Sequence, residues 1–207
     1  MNNCNLQIAE YAGSLFDTVG INRLPGGESL LILGLESTPE RNLDELGRLH
    51  GKLQLYGFKE YVAPKLESLL NFIHDKGFSA EPIGRYGYPL QAQVNLKEEA
   101  IRAGLGKWGK NTLVLHPRYG PWLRFAAIRT DAPLEPLTNP AASEEENPTC
   151  RGCSICIDAC PVKALEPYHM SDTSICLSNS ARMDEKEGYL IPCDICLQLC
   201  PAANLDD

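Results

Sequence analysis

Eight of the nine cysteines of this chain lie between residues 150 and 200, in two groups. The first group is Cys150, Cys153, Cys156 and Cys160, and the second is Cys176, Cys193, Cys196 and Cys200. Neighbouring cysteines of the first group are separated by two, two and three residues, and a proline follows the last one. The last three cysteines of the second group are separated by two and three residues, and a proline again follows the last one. Sixteen residues separate Cys176 from these three. Such spacing is typical of metal ligands, so a metal centre explains the cysteines better than disulfides do.

The first group has the spacing of bacterial ferredoxins, in which three thiolates hold one 4Fe-4S cluster and the fourth ligates a second cluster. Crossing the fourth ligands in this way predicts two clusters. The predicted ligands of the first cluster are Cys150, Cys153, Cys156 and Cys200, and those of the second are Cys160, Cys176, Cys193 and Cys196. A pair of structural zinc sites is the alternative, although zinc is usually held by two separated Cys-x2-Cys pairs. Cys4 lies far from both groups and is given no role.

Length and charge limit what else the chain can be. Its 207 residues suffice for one full hydrophobic core and a smaller second unit. The formal net charge of -8 argues against a protein that neutralises nucleic-acid phosphates or an anionic membrane surface. The N-terminus lacks the features of a signal peptide, and no apolar run is long enough to span a membrane. We therefore expect a cytoplasmic protein that binds neither membranes nor, directly, nucleic acids.

The apolar pattern predicts an α/β unit followed by a smaller one. Helical periodicity occurs at residues 5–18, 64–76 and 96–103. A continuous apolar run at residues 29–35 favours a central strand buried on both faces, and shorter runs predict strands at residues 78–83, 112–116 and 122–130. We predict an α/β domain at residues 1–134, a linker rich in proline and glutamate at residues 135–147, and a cysteine-rich domain at residues 148–207.

A glycine-rich segment lies between two of the predicted elements. Gly104, Gly106 and Gly109 permit positive φ or a close approach of the backbone to a flat or bulky ligand. A turn that packs helix against strand without any ligand is an equal alternative. The segment lacks the spacing and the βαβ context of a dinucleotide-binding motif.

The glycine segment, the cysteine groups and their order resemble the epoxyqueuosine reductase family and its relatives, the corrinoid-dependent reductive dehalogenases. The similarity runs from about residue 24 to residue 201. The residues that carry it are 103–106, Gly109, the turn at 119–121, residues 130–134, and the two cysteine groups with the isolated Cys176. The resemblance implies a nitroreductase-like α/β sandwich that holds a cobalamin, followed by a ferredoxin-like domain with two clusters that supplies electrons.

The resemblance also implies candidate site residues in the first domain. The cofactor-binding residues would be Gly104, Leu105, Gly106, Gly109 and Asn111. Epoxyqueuosine reductases carry an acidic proton donor some residues before the glycine segment, whereas residues 88–95 here contain no carboxylate. Reductive dehalogenases use a tyrosine as the proton donor, and Tyr86 and Tyr88 are the candidates for that role.

For other polar residues of the chain, a role at a site competes with an ordinary structural explanation. Lys107, Lys110, Arg118 and Arg124 could meet anionic groups of a cofactor or substrate, but exposed cations are usually a solvated face. His116 and His169 are possible ligands or acids, but a lone histidine is usually neither.

Together these observations predict an iron-sulfur oxidoreductase, a reductase of the epoxyqueuosine reductase type. A low-potential donor such as ferredoxin or flavodoxin would reduce the clusters, and single electrons would pass to cobalamin or to a small-molecule substrate in the first domain. The alternative is a non-catalytic electron-transfer or accessory protein that docks a redox partner.

Overall fold

A computed structural model describes residues 3–49, 52–83, 94–136, 146–179, 183–184, 189–190 and 192–203. The helices and strands of these residues, in chain order, are α1 (Asn3–Leu15), β1 (Thr18–Arg23), β2 (Ser29–Glu36), β3 (Leu46–Leu49), β4 (Lys52–Leu55), α2 (Tyr56–Tyr61), α3 (Ala63–Asp75), β5 (Ala80–Ile83), α4 (Leu96–Arg102), β6 (Lys107–Trp108), β7 (Val114–Leu115), β8 (Leu123–Thr130), α5 (Ile155–Asp158), β9 (Leu165–Glu166), β10 (His169–Met170), α6 (Thr173–Ser178), β11 (Met183–Asp184), β12 (Tyr189–Leu190) and α7 (Ile195–Gln198). Short 3-10 helices follow at Pro148–Cys150 and Pro201–Ala203. The predicted α/β fold class is confirmed. Among the described residues, no helix has both the length and the apolar character needed to cross a membrane.

The main sheet has the strand order β1-β2-β8-β5, and every neighbouring pair is antiparallel. β2 pairs with β8 along its whole length, from Ser29 opposite Thr130 to Glu36 opposite Leu123. The predicted central strand at residues 29–35 is therefore confirmed. β5 lies at an edge of the sheet. An edge strand tolerates Pro82, which has no backbone N–H to donate to a neighbouring strand.

Both faces of β2 are buried because successive side chains of a strand point to opposite sides. Leu31 and Leu33 belong to a core shared with α1 and α3, whereas Leu30 and Ile32 belong to a core shared with α4. The sheet thus lies between two layers of helices. The α4 layer leads directly into the glycine segment, which positions that segment at the edge of the second core.

The predicted helices are present with small shifts at their ends. α3 has a proline in its first turn and buries Leu66, Leu69 and Ile73 on one face, while Gly77 follows it with a φ of +87°. The helix predicted at residues 5–18 ends at Leu15, because Thr18 already pairs with Gly34 as the first residue of β1.

A second four-stranded sheet was not predicted. Its order is β11-β12-β3-β4, and Tyr189 and Leu190 of β12 pair with Gly47 and Leu46 of β3. Strands of two residues are too short for their periodicity to be read from a sequence. This sheet joins residues of the predicted first domain directly to residues of the predicted cysteine-rich domain, and the domain boundaries themselves stay a prediction.

The cysteine-rich segment contains only short elements. Among its described residues, α5 and α7 have four residues each and α6 has six. Its small apolar cores include the cysteines themselves, with Cys150 and Cys200 in one and Cys160 in another. A segment that buries so little apolar surface needs further stabilisation, which a bound metal centre can supply.

Candidate iron-sulfur site

The first thiol set consists of Cys150, Cys153, Cys156 and Cys200. These side chains line one cavity, together with Lys110, Asn111, Thr149 and Pro201. The local chain turns tightly, since Gly152 has a φ of +72° and the N–H of Cys153 donates to the carbonyl oxygen of Cys150 at 3.1 Å. The thiols predicted to share the first cluster therefore surround a common cavity.

The second thiol set consists of Cys160, Cys176, Cys193 and Cys196. Cys176 of α6 and Cys196 of α7 pack against the small core that contains Cys160, Ala164 and Leu165. Cys193 precedes α7 and interacts electrostatically with both Cys176 and Cys196. The second set is therefore gathered from three separate segments of the chain.

The thiols of each set affect one another. Burial raises the pKa of Cys196 to about 12, and repulsion from Cys176 adds to the increase. Burial raises the pKa of Cys156 to about 11, and here the largest repulsion comes from Cys200. Metals bind thiolates rather than thiols, so loading either set with metal would release protons.

In the described part of the chain, no group of three or more His, Cys, Asp or Glu side chains has the arrangement that one metal ion requires. Four thiolates around one zinc ion would each lie about 2.3 Å from it.

Lys110 contacts the first thiol set and its surroundings through all of its polar groups. Its backbone N–H donates to Cys150 Sγ at 3.5 Å, and its ammonium group donates to the carbonyl oxygen of Cys153 at 3.0 Å. Its carbonyl oxygen accepts the N–H of Tyr168 at 3.2 Å, and the Glu146 carboxylate lies 3.9 Å from the ammonium group. Only 18% of the side chain is exposed, so the interpretation of this lysine as a solvated surface cation is wrong.

Asn111 makes the corresponding contact with the second thiol set. Its Nδ2 donates to the carbonyl oxygen of Cys196 at 3.2 Å, and its Oδ1 accepts the N–H of Leu113 at 3.3 Å. The residue is 2% exposed. Two adjacent residues that follow Gly109 therefore hydrogen-bond to different thiol sets: Lys110 to the first and Asn111 to the second.

Gly104 ends α4. It has a φ of +74°, its N–H donates to the carbonyl oxygen of Ile101, and the N–H of Leu105 donates to that of Ala100, both at 2.9 Å. This pair of bonds is a Schellman motif, which requires a residue with positive φ at the position of Gly104.

Gly106 and Gly109 allow close packing inside the chain. A Cβ on Gly106 would lie 2.6 Å from the carbonyl oxygen of Leu115, and one on Gly109 would lie 2.5 Å from Asn111 Oδ1. Leu105 is buried in the core that α4 covers. These contacts are with the chain's own atoms, as expected for a turn that packs helix against strand. Corrinoid binding by the same residues stays a prediction.

Known proteins resemble the chain over most of its length, although no protein-family model matches it. The epoxyqueuosine reductase of Cyclobacterium marinum is 31% identical over 157 residues, which are 74% of this chain and 48% of that protein. A crystal structure of epoxyqueuosine reductase with an epoxyqueuosine-modified tRNA-Tyr stem loop covers 98% of this chain and 66% of its own, with a TM-score of 0.67 and 21% identity. A reductive dehalogenase structure, described with a mechanism for B12-dependent dehalogenation, covers 98% of this chain and 32% of its own, with a TM-score of 0.64 and 16% identity.

The chain is related to the epoxyqueuosine reductases. The resemblance inferred from the glycine segment and the cysteine groups is confirmed, and the named relatives are enzymes. The chain spans about half the length of the curated relatives it matches.

The likeness to epoxyqueuosine reductases bears on nucleic-acid binding. One solved epoxyqueuosine reductase has a tRNA stem loop in its structure. The expectation that this chain binds no nucleic acid was drawn from a net charge of -8, which describes the whole molecule. Binding depends on the local distribution of charge, so that expectation has no support.

Lys97 is a residue near the thiol sets that the sequence analysis did not identify as a candidate. It lies in the first turn of α4, and its Nζ donates to the carbonyl oxygen of Thr112 at 2.9 Å. Burial lowers the pKa of Lys97 and the positive charge of Arg124 lowers it further, whereas Cys196, the Asp44 carboxylate and Cys176 act in the opposite direction. An ammonium group therefore lies near the second thiol set, a position that only the tertiary structure reveals.

An open groove is lined by residues of the α/β part and of the cysteine-rich segment together. Its lining includes Glu36, Asp44 and Trp122 from the former and Pro192, Asp194 and Gln198 from the latter. Arg124 lies beside it with its Nε 2.6 Å from Asp44 Oδ1, and only 20% of its side chain is exposed. Arg124 is therefore paired within the protein and is not a solvated surface cation.

The turn after β7 brings the α/β part against the last cysteine. Gly120 has a φ of +51°, and a Cβ there would overlap the carbonyl oxygen of Ala202, two residues after Cys200. His116 supports this turn because its Nδ1 accepts the N–H groups of Arg118 and Tyr119 at 3.0 and 3.2 Å. His116 thus has a structural role that its isolated position in the sequence did not reveal.

The remaining candidates gain no described role. Tyr86 and Tyr88 lie outside the described residues. His169 is exposed in β10, where it pairs with Glu166. Cys4 lies in α1, on a different element from both thiol sets.

Proposed function

We propose that this chain is an iron-sulfur reductase that holds two 4Fe-4S clusters, one on each thiol set. The observation that supports it best is the grouping of the cysteines, since the first set lines one cavity and members of the second share a small core. This grouping matches the crossed arrangement of ligands in two-cluster ferredoxins. The residues fit the cofactor chemically, because each set offers four thiol donors and little else.

The chain's own residues would keep the clusters adjacent. A bound 4Fe-4S cluster takes up and releases single electrons. Cys156 and Cys160 belong to different sets and have three residues between them, and Cys196 and Cys200 repeat this relation. Each of these two short links ties the sets together, so electrons entering at one set would have a short distance to the other.

The finer architecture belongs to the same proposal. Residues 1–134 would form a nitroreductase-like sandwich, residues 135–147 a linker, and residues 148–207 a ferredoxin-like domain. A ferredoxin or flavodoxin in the cytoplasm would supply the electrons. The open groove lined by Asp44, Trp122 and Asp194 is a candidate position for the substrate, because both chain neighbours of Cys193 line it.

Cobalamin is the proposed electron acceptor, with Gly104, Leu105, Gly106, Gly109 and Asn111 as the residues that would line or support it. Cobalamin would supply a strongly reducing metal, and the protein would orient it. The described contacts of Gly106, Gly109 and Asn111 are with the chain's own atoms.

A second candidate function is an electron-transfer or accessory protein that docks a redox partner. It is favoured by residues 88–95, which contain no carboxylate where epoxyqueuosine reductases carry an acidic proton donor. Tyr86 or Tyr88 would have to replace that donor if the chain is itself an enzyme.

Metal analysis after anaerobic reconstitution tests the clusters. We expect about eight irons per chain, in keeping with two four-iron clusters. Cys4→Ser is the matched control, since this cysteine lies outside both thiol sets and its loss should leave the iron content unchanged. Zinc without iron would support the structural zinc alternative, and a colourless protein with far less iron would overturn the proposal.

Turnover separates the enzyme from the carrier. The reduced protein would be assayed with an epoxyqueuosine-modified stem loop and with an organohalide, with and without added cobalamin. Activity of the protein alone or with cobalamin excludes the pure carrier, whereas activity that appears only with a partner protein supports it. A cobalamin titration followed by visible absorbance should saturate, and no saturable change at micromolar protein would remove cobalamin from the proposal.

A further inference from the structure

We propose that the positive charge of Lys110 raises the reduction potential of the first cluster. The inference rests on the proposed function, since it assumes that the first thiol set holds a cluster. It concerns a residue that no motif singled out, beyond its position beside Gly109.

Direct contact is the first argument. The backbone N–H of Lys110 donates to Cys150 Sγ at 3.5 Å, and its ammonium group lies 3.0 Å from the carbonyl oxygen of Cys153. Reduction adds negative charge to a cluster. Hydrogen bonds to its sulfurs and nearby positive charge stabilise the reduced form, so both raise the potential.

Burial and fixed geometry are the second argument. The side chain is 18% exposed, so solvent screens its charge incompletely. The backbone of Lys110 is held on both sides, because Tyr168 donates its N–H to the carbonyl oxygen of Lys110 and the neighbouring Asn111 is bound to Cys196. The ammonium group is therefore a fixed charge beside the first thiol set, which the more exposed Glu146 carboxylate, 3.9 Å away, offsets only in part.

The second thiol set is contacted by a neutral residue where the first is contacted by the charged Lys110. The neighbouring residue Asn111 offers it a neutral amide, which donates to a carbonyl oxygen rather than to sulfur. The ammonium group of Lys97, in α4, interacts electrostatically with Cys196 and Cys176 of the second set. The effect of Lys110 should therefore be confined to the first cluster.

Lys110→Met, Lys110→Gln and Lys110→Arg form the test series. None of these changes removes the backbone N–H, so they isolate the contribution of the side-chain charge. Lys110→Gln keeps a neutral donor and serves as the second neutral variant if Lys110→Met folds poorly. Lys59→Met is the control, because Lys59 is an exposed lysine on α2 and its loss changes the net charge equally.

The measurement is a redox titration followed by electron paramagnetic resonance, made in a Cys176→Ser background that retains only the first cluster. We expect Lys110→Met and Lys110→Gln to lower the equilibrium constant for one-electron reduction about tenfold, which corresponds to about 59 mV. Lys110→Arg and Lys59→Met should remain at the parent value. Unchanged potentials in both neutral variants, or an equal decrease in Lys59→Met, would overturn the inference.

Iron content distinguishes this failure from failure of the proposed function. If the parent protein takes up no iron, the cluster proposal itself is wrong. If the parent and the variants bind equal amounts of iron but their potentials agree, only the role of Lys110 is wrong.

Discussion

The two thiol sets contain the same number of cysteines but are assembled differently. Three members of the first set come from residues 150–156, within a 3-10 helix, a glycine turn and the start of α5. The members of the second set come from just after α5, from α6, from the residue before the N-cap of α7 and from the first turn of α7. Three thiols of the first set are buried, whereas three of the second are only partly buried.

This difference indicates how far each set depends on the rest of the molecule. Local turns nearly complete the first set, and only Cys200 must be brought from a distance. The second set forms only when three segments are folded together. The first set is therefore built mainly by sequence spacing and the second mainly by tertiary structure.

Removing one thiol from each set should have the largest effect. Cys156→Ser should abolish the first cluster and Cys176→Ser the second, each with a loss of about four of about eight irons. The reason is that each thiolate ligates a different iron of its own cluster. Iron analysis and electron paramagnetic resonance of the reconstituted variants measure the outcome.

The same pair of variants can break the comparison. If Cys176→Ser loses all iron whereas Cys156→Ser loses half, the first set does not form independently of the second. The reverse result would mean that the second set depends on the first. Cys4→Ser, with all its iron retained, controls for the loss of a cysteine as such.

Gly120→Ala should have the next largest effect, a loss of stability, because the added methyl group would push the turn after β7 away from the residues that follow Cys200. The new Cβ would overlap the backbone of Ala202, and alanine is strained at a φ of +51°. We expect a loss of about 2–4 kcal/mol in the free energy of unfolding, combining the strain of positive φ with overpacking. Anaerobic urea unfolding followed by circular dichroism checks this value.

Gly26→Ala is the matched control for that experiment. A Cβ at Gly26 meets no atom within 4 Å, so its unfolding free energy should change by no more than about 0.5 kcal/mol. Equal losses in the two variants would show that Gly120 matters only as a turn residue, and not as a contact with the first set.

Sequence patterns predicted the elements whose chemistry is local. The apolar run of β2, the amphipathic α3 with its proline and glycine ends, and the cysteine spacing each depend on neighbouring residues. The pairing of β3 with β12 could not be predicted, because both strands are short and lie about 140 residues apart in sequence.

The glycine segment shows the same limit in the candidate site. Its glycines were recognised, but whether they face a ligand or the chain's own atoms depends on Leu115 and on the Schellman motif of α4. Lys110 and Lys97 read as ordinary lysines, since their burial and their nearness to thiols arise only when distant segments meet. A lysine has no spacing rule comparable to that of cysteine ligands, so Lys110 was named only as one of several cations near the glycine segment and Lys97 was not named at all.

Asn111→Leu should weaken the second set more than the first. The change removes the donor to the carbonyl oxygen of Cys196 and leaves that partly buried acceptor without this partner, at a cost of about 1 kcal/mol. We expect the second cluster to be lost faster than the first when the reconstituted protein is exposed to a chelator. Electron paramagnetic resonance during chelation separates the two losses.

A surface change of the same kind controls for the substitution itself. Asn71→Leu replaces an exposed asparagine on α3 and should leave both loss rates unchanged. If Asn111→Leu accelerates the loss of both clusters equally, the residue supports the whole segment and does not distinguish the two sets.

The smallest expected effect concerns His116, which supports the turn that meets the end of the first set. Its Nδ1 accepts two backbone N–H groups, which requires an unprotonated nitrogen. Burial lowers the pKa of His116, and the positive charge of Arg118 lowers it further. The unfolded chain, with a histidine pKa of about 6.5, therefore takes up a proton before the folded chain does as the pH falls. The stability contributed by His116 is present above about pH 6.5 and is lost as the pH falls toward the folded pKa.

His116→Asn should remove this pH dependence, because an amide oxygen can accept a backbone N–H and does not titrate near neutral pH. The free energy of unfolding, measured between about pH 5 and pH 7.5, should decline less toward acid in the variant than in the parent, by no more than about 1 kcal/mol. Arg118→Gln should reduce the decline partially, since it removes only the second cause of the lowered pKa. Parallel pH profiles for the parent and His116→Asn would mean that the turn is held by its backbone alone. In that case Gly120 and Ala202 would carry the attachment of the first set without help from the histidine.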